Sequence, residues 1–228
     1  MITSIIAVYD GGSNCFNSSS RSSSADCALV RNNLNGLNVL NDWNASKASP
    51  KMTCEESRTI HTIGHSTRTI ENFIELLRAH RIDLLIDVRR WPMSKRYPHF
   101  NREALTLSLE ENGIGYNWRQ DLGGFRKAEA NSPNTAWRVA TFRAYADFML
   151  TENFAQIMHE IDSIANEHRI VLMCAEAVHW RCHRQLLADA FLVRGWSVLH
   201  IMDDGCHEHK LPPFARPQAQ RIIYRDLI

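Results

Sequence analysis

Long apolar runs are missing from this chain. No stretch reaches the roughly 18 apolar residues that a membrane-spanning helix needs, and the apolar opening MITSIIAVY is short and lacks a basic start. Net charge is nearly missing as well, with 26 Lys and Arg against 25 Asp and Glu giving +1. That balance excludes capture of a polyanion by bulk charge, so any anion site must be local. Cysteine is sparse: six are spread unevenly over 228 residues. This excludes the dense disulfide framework of a small secreted domain and reads as reduced thiols in a cytoplasmic setting. Internal repeats are absent too, which argues against a solenoid. What remains is 44% hydrophobic and 22% charged, enough for one sizeable core.

Composition divides the chain in two. Residues 1–56 open with a stretch holding ten serines and eight asparagines within the first 50 positions and no sustained period of two or 3.6. Such a segment buries too little apolar surface to offset chain entropy and is expected to be disordered or weakly ordered. Residues 57–228 read as an α/β domain. TIHTIG predicts a buried strand, and Thr69 caps a helix with apolar Ile70, Phe73, Ile74 and Leu77 at helical spacing. IDLLIDVR is a near-continuous apolar run, as in a strand covered on both faces. A helix from Asn101 to Gly113, a strand IGYNW, a polar loop from Arg119 to Thr135, and two helices in FRAYADFML and ENFAQIMHEIDSIANEH follow. RIVLMCA is a fourth strand. A helix beginning near Arg181 or Cys182 and stopped by Gly195 precedes a fifth strand, SVLHIM, and the tail RIIYRDLI predicts a short final one. This alternation implies a largely parallel sheet flanked by helices.

Ligands of such sheets bind beyond the carboxyl ends of the strands, where loops and helix N-termini converge. Three loops of unusual chemistry leave those ends. The first, GHST, holds Gly64, His65 and Ser66: a residue that allows close backbone approach, one that titrates near neutrality, and a hydroxyl. The second carries Arg89, Arg90, Lys95, Arg96 and Arg102 with no acid between Asp87 and Glu103, interleaved with Trp91, Tyr97, His99 and Phe100. Arginine forks and aromatic faces suit phosphates and bases, although Asp87 and Arg89 could equally form an internal pair.

The third loop is CAEAVHWRCHR. Cys174 stands where a buried strand meets a helix start and among His179, Arg181, His183 and Arg184, so its thiol is expected below the free value of about 8.5. Glu176 is placed to act as an acid, a base or a partner for arginine. A small buried cysteine ending a strand would give the same letters. Further on, DLGGFRK sets Arg126 beside Gly123 and Gly124, as in a lid over an anion. The spacing of Cys174, His179, Cys182 and His183 differs from the paired signatures of closed zinc sites, yet Cys206, His207 and His209 could add ligands. No cofactor is predicted, with zinc or iron as the alternative.

Taken in order, TIGHSTRTIENFIELL, IDVRRWPMSKRYPHFNREAL, LGGFRK, FRAYADFM, VLMCAE, WRCHRQLLAD and HKLPPFAR resemble the family named for domain of unknown function 488, over about residues 60 to 216. The resemblance implies an α/β fold, a cytoplasmic and mainly microbial setting and no settled reaction. It also implies a motif set of Gly64, His65, Ser66, Asp87, Arg89, Pro92, Arg96, Phe100, Gly123, Gly124, Arg126, Cys174, Glu176, Arg181, Cys182, His183 and Arg184. A weaker local resemblance, LIDVR followed by a cysteine loop, is to rhodanese and dual-specificity phosphatase domains. The loop departs from theirs, with six residues between Cys174 and Arg181, bulky His179 and Trp180 among them.

Three functions fit these residues. One is a thiol-dependent enzyme for an anionic, phosphate- or nucleotide-containing substrate, with Cys174, Glu176 and His65 catalytic and Gly64, Ser66, Arg89, Arg96, Arg126, Arg181, His183 and Arg184 holding the substrate. The second is a non-catalytic nucleic-acid-binding module using Arg90, Lys95, Arg96, Tyr97 and Arg102. The third is a Cys/His metal protein. None calls for a membrane.

Overall fold

In the computed structural model the strand Thr59–Gly64 (β1) lies at the heart of a six-stranded sheet of order β3-β2-β4-β1-β5-β6. Residues 58–127 and 129–226 are described. The Ser/Asn-rich stretch 1–56, with Cys15, Cys27 and Cys54, lies outside them.

Strands β2 (Leu84–Asp87), β3 (Gly115–Trp118), β4 (Ile170–Cys174) and β5 (Ser197–Met202) join β1 in parallel, and β6 (Gly205–Glu208) closes one edge antiparallel. Successive side chains of a strand point to opposite faces, so the apolar runs of β1, β2 and β4 feed two cores. Ile60, Ile86, Ile170, Leu172 and Val198 pack beneath α3 (Ala140–Phe148), α4 (Glu152–Glu167) and α5 (Arg184–Val193). Ile63, Leu85, Val171, Met173 and Ile201 pack beneath α1 (Ile70–Ala79) and α2 (Arg102–Glu110). The chain is thus an α/β fold with helices on both faces of a mostly parallel sheet.

Local signals worked where their chemistry is self-contained. Thr69 caps α1 by accepting from Asn72 N, and Thr151 caps α4 by accepting from Phe154 N. Asn101 precedes α2 as expected, but its Oδ1 accepts from Ser94 N at 2.6 Å and so ties down the basic loop instead. Helix α5 starts later than expected. Cys182 is extended, a one-turn 3-10 segment occupies His179–Arg181, and the helix begins at Arg184. A hairpin of β7 (Ala215–Gln218) and β8 (Arg221–Tyr224) forms a separate two-stranded sheet; its second strand is the predicted tail strand. Among the described residues no helix is long and apolar enough to cross a membrane.

Register positions the site. Gly64 pairs with Cys174 and Asp87 with Met173, so β1, β2 and β4 end at one level. His65 N and Ser66 N then donate to Cys174 O and Ala175 O, and Val88 N to Met173 O, which carries the pairing past the strands into the loops.

Candidate active site

A cleft of about 910 Å³ opens at this carboxyl edge. Its walls include His65 and Ser66 from the first loop, Arg89, Arg90, Trp91, Arg96 and Tyr97 from the second, and Cys174, Glu176, Arg181, Cys182 and His183 from the third. Helix α3 adds Thr141, Phe142 and Tyr145, which sequence patterning read only as helical positions. The three loops singled out by their chemistry therefore share one pocket.

The floor holds two buried thiols and an imidazole, with Cys174 Sγ, Cys182 Sγ and a His183 nitrogen all within 4.8 Å of one another. Cys182 Sγ lies 3.6 Å from His183 Nδ1. His183 Nε2 faces Val88 O at 3.1 Å, and since a carbonyl can only accept, Nε2 carries the proton and Nδ1 turns its lone pair to the thiol. Tyr145 packs against the imidazole and anchors itself by donating to Leu122 O at 2.8 Å. A thiol, an adjacent imidazole and a carbonyl orienting that imidazole are thus present together, the grouping that activated nucleophiles use. Sequence reasoning placed the lowered thiol at Cys174, but the lowering falls on Cys182. The Cys174 thiol donates to Cys182 and so favours its thiolate, with the Arg184 charge and the His183 imidazole, once it has taken the thiol proton, adding to the lowering. Cys174 moves the opposite way, raised by that same hydrogen bond and by burial.

His65 is buried against Phe100, with ring centroids 4.3 Å apart, and its Nδ1 donates to Ser66 O at 3.1 Å. Burial, with Arg89 nearby, takes its pKa down to about 4, so it meets the cleft as a neutral imidazole. Ser66 reaches the wall through a positive φ of 50°, a conformation sparsely used by non-glycine residues and frequent at functional sites. Glu176 is exposed at the rim.

The arginines separate into two groups. Arg89 donates to both carboxylate oxygens of buried Asp87, at 2.5 to 3.0 Å, and to Phe100 O at 2.9 Å. It touches the cleft, yet its guanidinium is occupied in holding the second loop. Buried Arg184 donates to the carbonyls of Glu176 and Ala177 and braces the third loop without lining the cleft. Arg126 also lies off the cleft, lying 3.2 Å over the Phe148 ring and donating to Asp121 O. Arg90, Arg96 and Arg181 line it, and Arg96 and Arg181 are exposed. Gly64 lies behind the wall: a Cβ there would stand 1.8 Å from Glu176 O.

The four residues weighed as one metal set do not converge. His179 departs from Cys174, Cys182 and His183 to join His200 and His209. Cys206 and His207 lie on the exposed edge strand β6.

Fold and site together define an α/β protein with a paired-cysteine, histidine-flanked cleft at the carboxyl edge of its sheet. A family model described as domain of unknown function DUF488 matches residues 69–191, and the chain belongs to that family. The matched stretch runs from the cap of α1 through Phe191 and includes Cys174, Cys182 and His183. No curated protein and no solved structure matches the chain, so the weaker likeness to rhodanese-type domains has no support from a relative.

Proposed function

We propose that the protein is a thiol-dependent enzyme acting on an anionic, phosphate- or nucleotide-containing substrate, with Cys182 rather than Cys174 as the nucleophile. The observation that carries this reading is the Cys182–His183 contact of 3.6 Å, with the far nitrogen of the imidazole pinned by Val88 O. His183 Nδ1 takes the thiol proton, and the thiolate so formed receives a hydrogen bond from Cys174. Arg90, Arg96 and Arg181 meet the substrate's negative charge, and Glu176 at the rim supplies the exchangeable proton. His65, neutral near pH 7, contributes a hydrogen bond rather than a charge.

Alkylation tests the reading directly. The full chain, treated with iodoacetamide over a pH series and analysed by peptide mass spectrometry, should show Cys182 modified with a midpoint below the free thiol value of about 8.5. Inorganic phosphate or a nucleoside monophosphate should slow that modification. Reaction of Cys182 no faster than that of exposed Cys206 at pH 6.5 would sink the activated-thiol reading.

One observation favours a second reading, a surface for single-stranded nucleic acid. Trp91 and Phe125 are 59% and 76% exposed at the cleft, their ring centroids are 5.2 Å apart, and Arg90 lies 5.7 Å from the Trp91 ring. Exposed rings beside cations stack on bases irrespective of sequence. Oligonucleotide binding that weakens steeply with salt would support it, because phosphate contacts release counterions.

A further inference from the structure

We infer that His179, His200 and His209 form a binding site for a divalent transition metal of the zinc class, outside the cleft and beyond the thiol reading. The three come from separate places: His179 from the one-turn segment before α5, His200 from β5, His209 from the residues after β6. One nitrogen of each lies within 4.8 Å of the others.

Hydrogen bonding decides what each ring offers. His209 Nε2 is 2.7 Å from Asp189 Oδ1, and Asp189 Oδ2 accepts from Tyr224 OH at 2.7 Å. The carboxylate therefore holds the proton of His209 on Nε2 and leaves Nδ1 with a lone pair aimed at His200 Nε2, 3.0 Å away. His200 Nδ1 faces Thr62 Oγ1 at 2.7 Å. A hydroxyl can donate or accept, so the His200 proton can stand on Nε2, as the empty arrangement needs, or on Nδ1, which frees Nε2 for a metal. Carboxylate behind one imidazole and hydroxyl behind another is the outer shell that orients metal-bound histidines. The third ring supplies an independent sign: His179 Nδ1 is buried without a hydrogen-bond partner, and an orphaned polar atom of that kind carries a desolvation cost that a ligand removes.

The electrostatics are compatible. Asp189 supplies negative charge one bond away. Arg184 is a fixed cation that acts on His179 and His200, and its guanidinium is engaged by the carbonyls of Glu176 and Ala177.

Geometry sets the required adjustments. Bond lengths of about 2.0–2.1 Å place two tetrahedral ligands roughly 3.4 Å apart, so the His200–His209 pair opens by a few tenths of an ångström. His179 stacks on His200 at 3.5 Å with planes 7° apart. Because imidazole lone pairs lie in the ring plane, this ring must tilt out of the stack to point at a shared ion. Three nitrogens would leave the fourth position of a tetrahedral ion to water or an exogenous group.

The competing soft set, Cys174, Cys182 and His183, makes cobalt the informative probe. Chelator-stripped full chain, titrated with Zn²⁺ against a chromophoric chelator, should bind a single equivalent. With Co²⁺ it should show visible d–d bands and no thiolate charge-transfer band. Substitution His179→Gln, at a half-buried position, should weaken binding more than about tenfold, while Cys182→Ser should leave it unchanged. A lack of stoichiometric binding by the unmodified chain, a thiolate band, or an affinity indifferent to His179→Gln would overturn the site. Alkylation of Cys182 is read separately, so either proposal can fail without the other.

Discussion

Gly64 shows how one absent methyl group governs the cleft. The sequence suggested a glycine that lets backbone approach a ligand; the structure shows it approached by the protein's own third loop. A Cβ at Gly64 would meet Glu176 O at 1.8 Å, the carbonyl carbon at 2.7 Å and Arg184 Nη2 at 3.0 Å. Two of those atoms are backbone, so no rotamer change relieves the clash, and relief requires moving the segment that carries Cys174, Glu176 and Cys182. Gly64→Ala should therefore cost about 3 kcal/mol or more, at or above the usual range for overpacking, read as a lower urea midpoint with an unchanged slope. An unchanged midpoint would mean that the first and third loops are not in contact as described. That the lowered thiol is Cys182 and not Cys174 was not legible in the sequence for a similar reason. Cys174 was conspicuous at its strand end, but the partner of Cys182 is defined by a Val88 carbonyl 95 residues away along the chain, and no local spacing reports that.

At the level of elements, α5 is more than one flank of the core. Its buried Asp189 holds His209 beyond β6 and Tyr224 of β8, fixing both late segments to one helix. Burial raises the Asp189 carboxyl while both hydrogen bonds lower it, and the net direction is up. Removing one of these bonds leaves a buried carboxylate short of a partner, so Tyr224→Phe should destabilise by about 1–3 kcal/mol. Hydrogen exchange should show the loss first in β7 and β8 amides and leave the central strands protected; uniform loss across the sheet would show that the hairpin is not a separable unit. The strong apolar runs and capped helices of the main sheet were legible because period and propensity agree there. Strands β6, GCHE, and β7, ARPQ, were not, being short, polar and largely exposed and existing through main-chain pairing with β5 and β8. Asp189 within LLADAF likewise gave no sign that a carboxylate faces inward until β8 was in place.

Across the whole molecule, buried neutral histidines link stability to pH. His61, His65 and His200 are each less than 5% exposed. The first two are pushed down to about 4, chiefly by burial, and His200 lower still. In the unfolded chain each titrates near 6.5. Between those values the unfolded state binds more protons than the folded one, so stability is fully present only well above pH 6.5 and falls as pH drops through 6.5 towards 4. One pH unit below 6.5 amounts to about 1.4 kcal/mol per group, a ceiling near 4 kcal/mol for three at pH 5.5. That is a large share of the roughly 5–15 kcal/mol by which domains are stable. Asp189, whose carboxyl is raised by burial, acts in the opposite sense. Urea unfolding at pH 7.5, 6.5 and 5.5 should therefore give a midpoint that is lower by about 1 kcal/mol of stability at the second pH and clearly lower again at the third. A midpoint that stays level to pH 5.5 would mean that these imidazoles accept protons within the fold, and the neutral state assigned to His65 in the cleft would go with it.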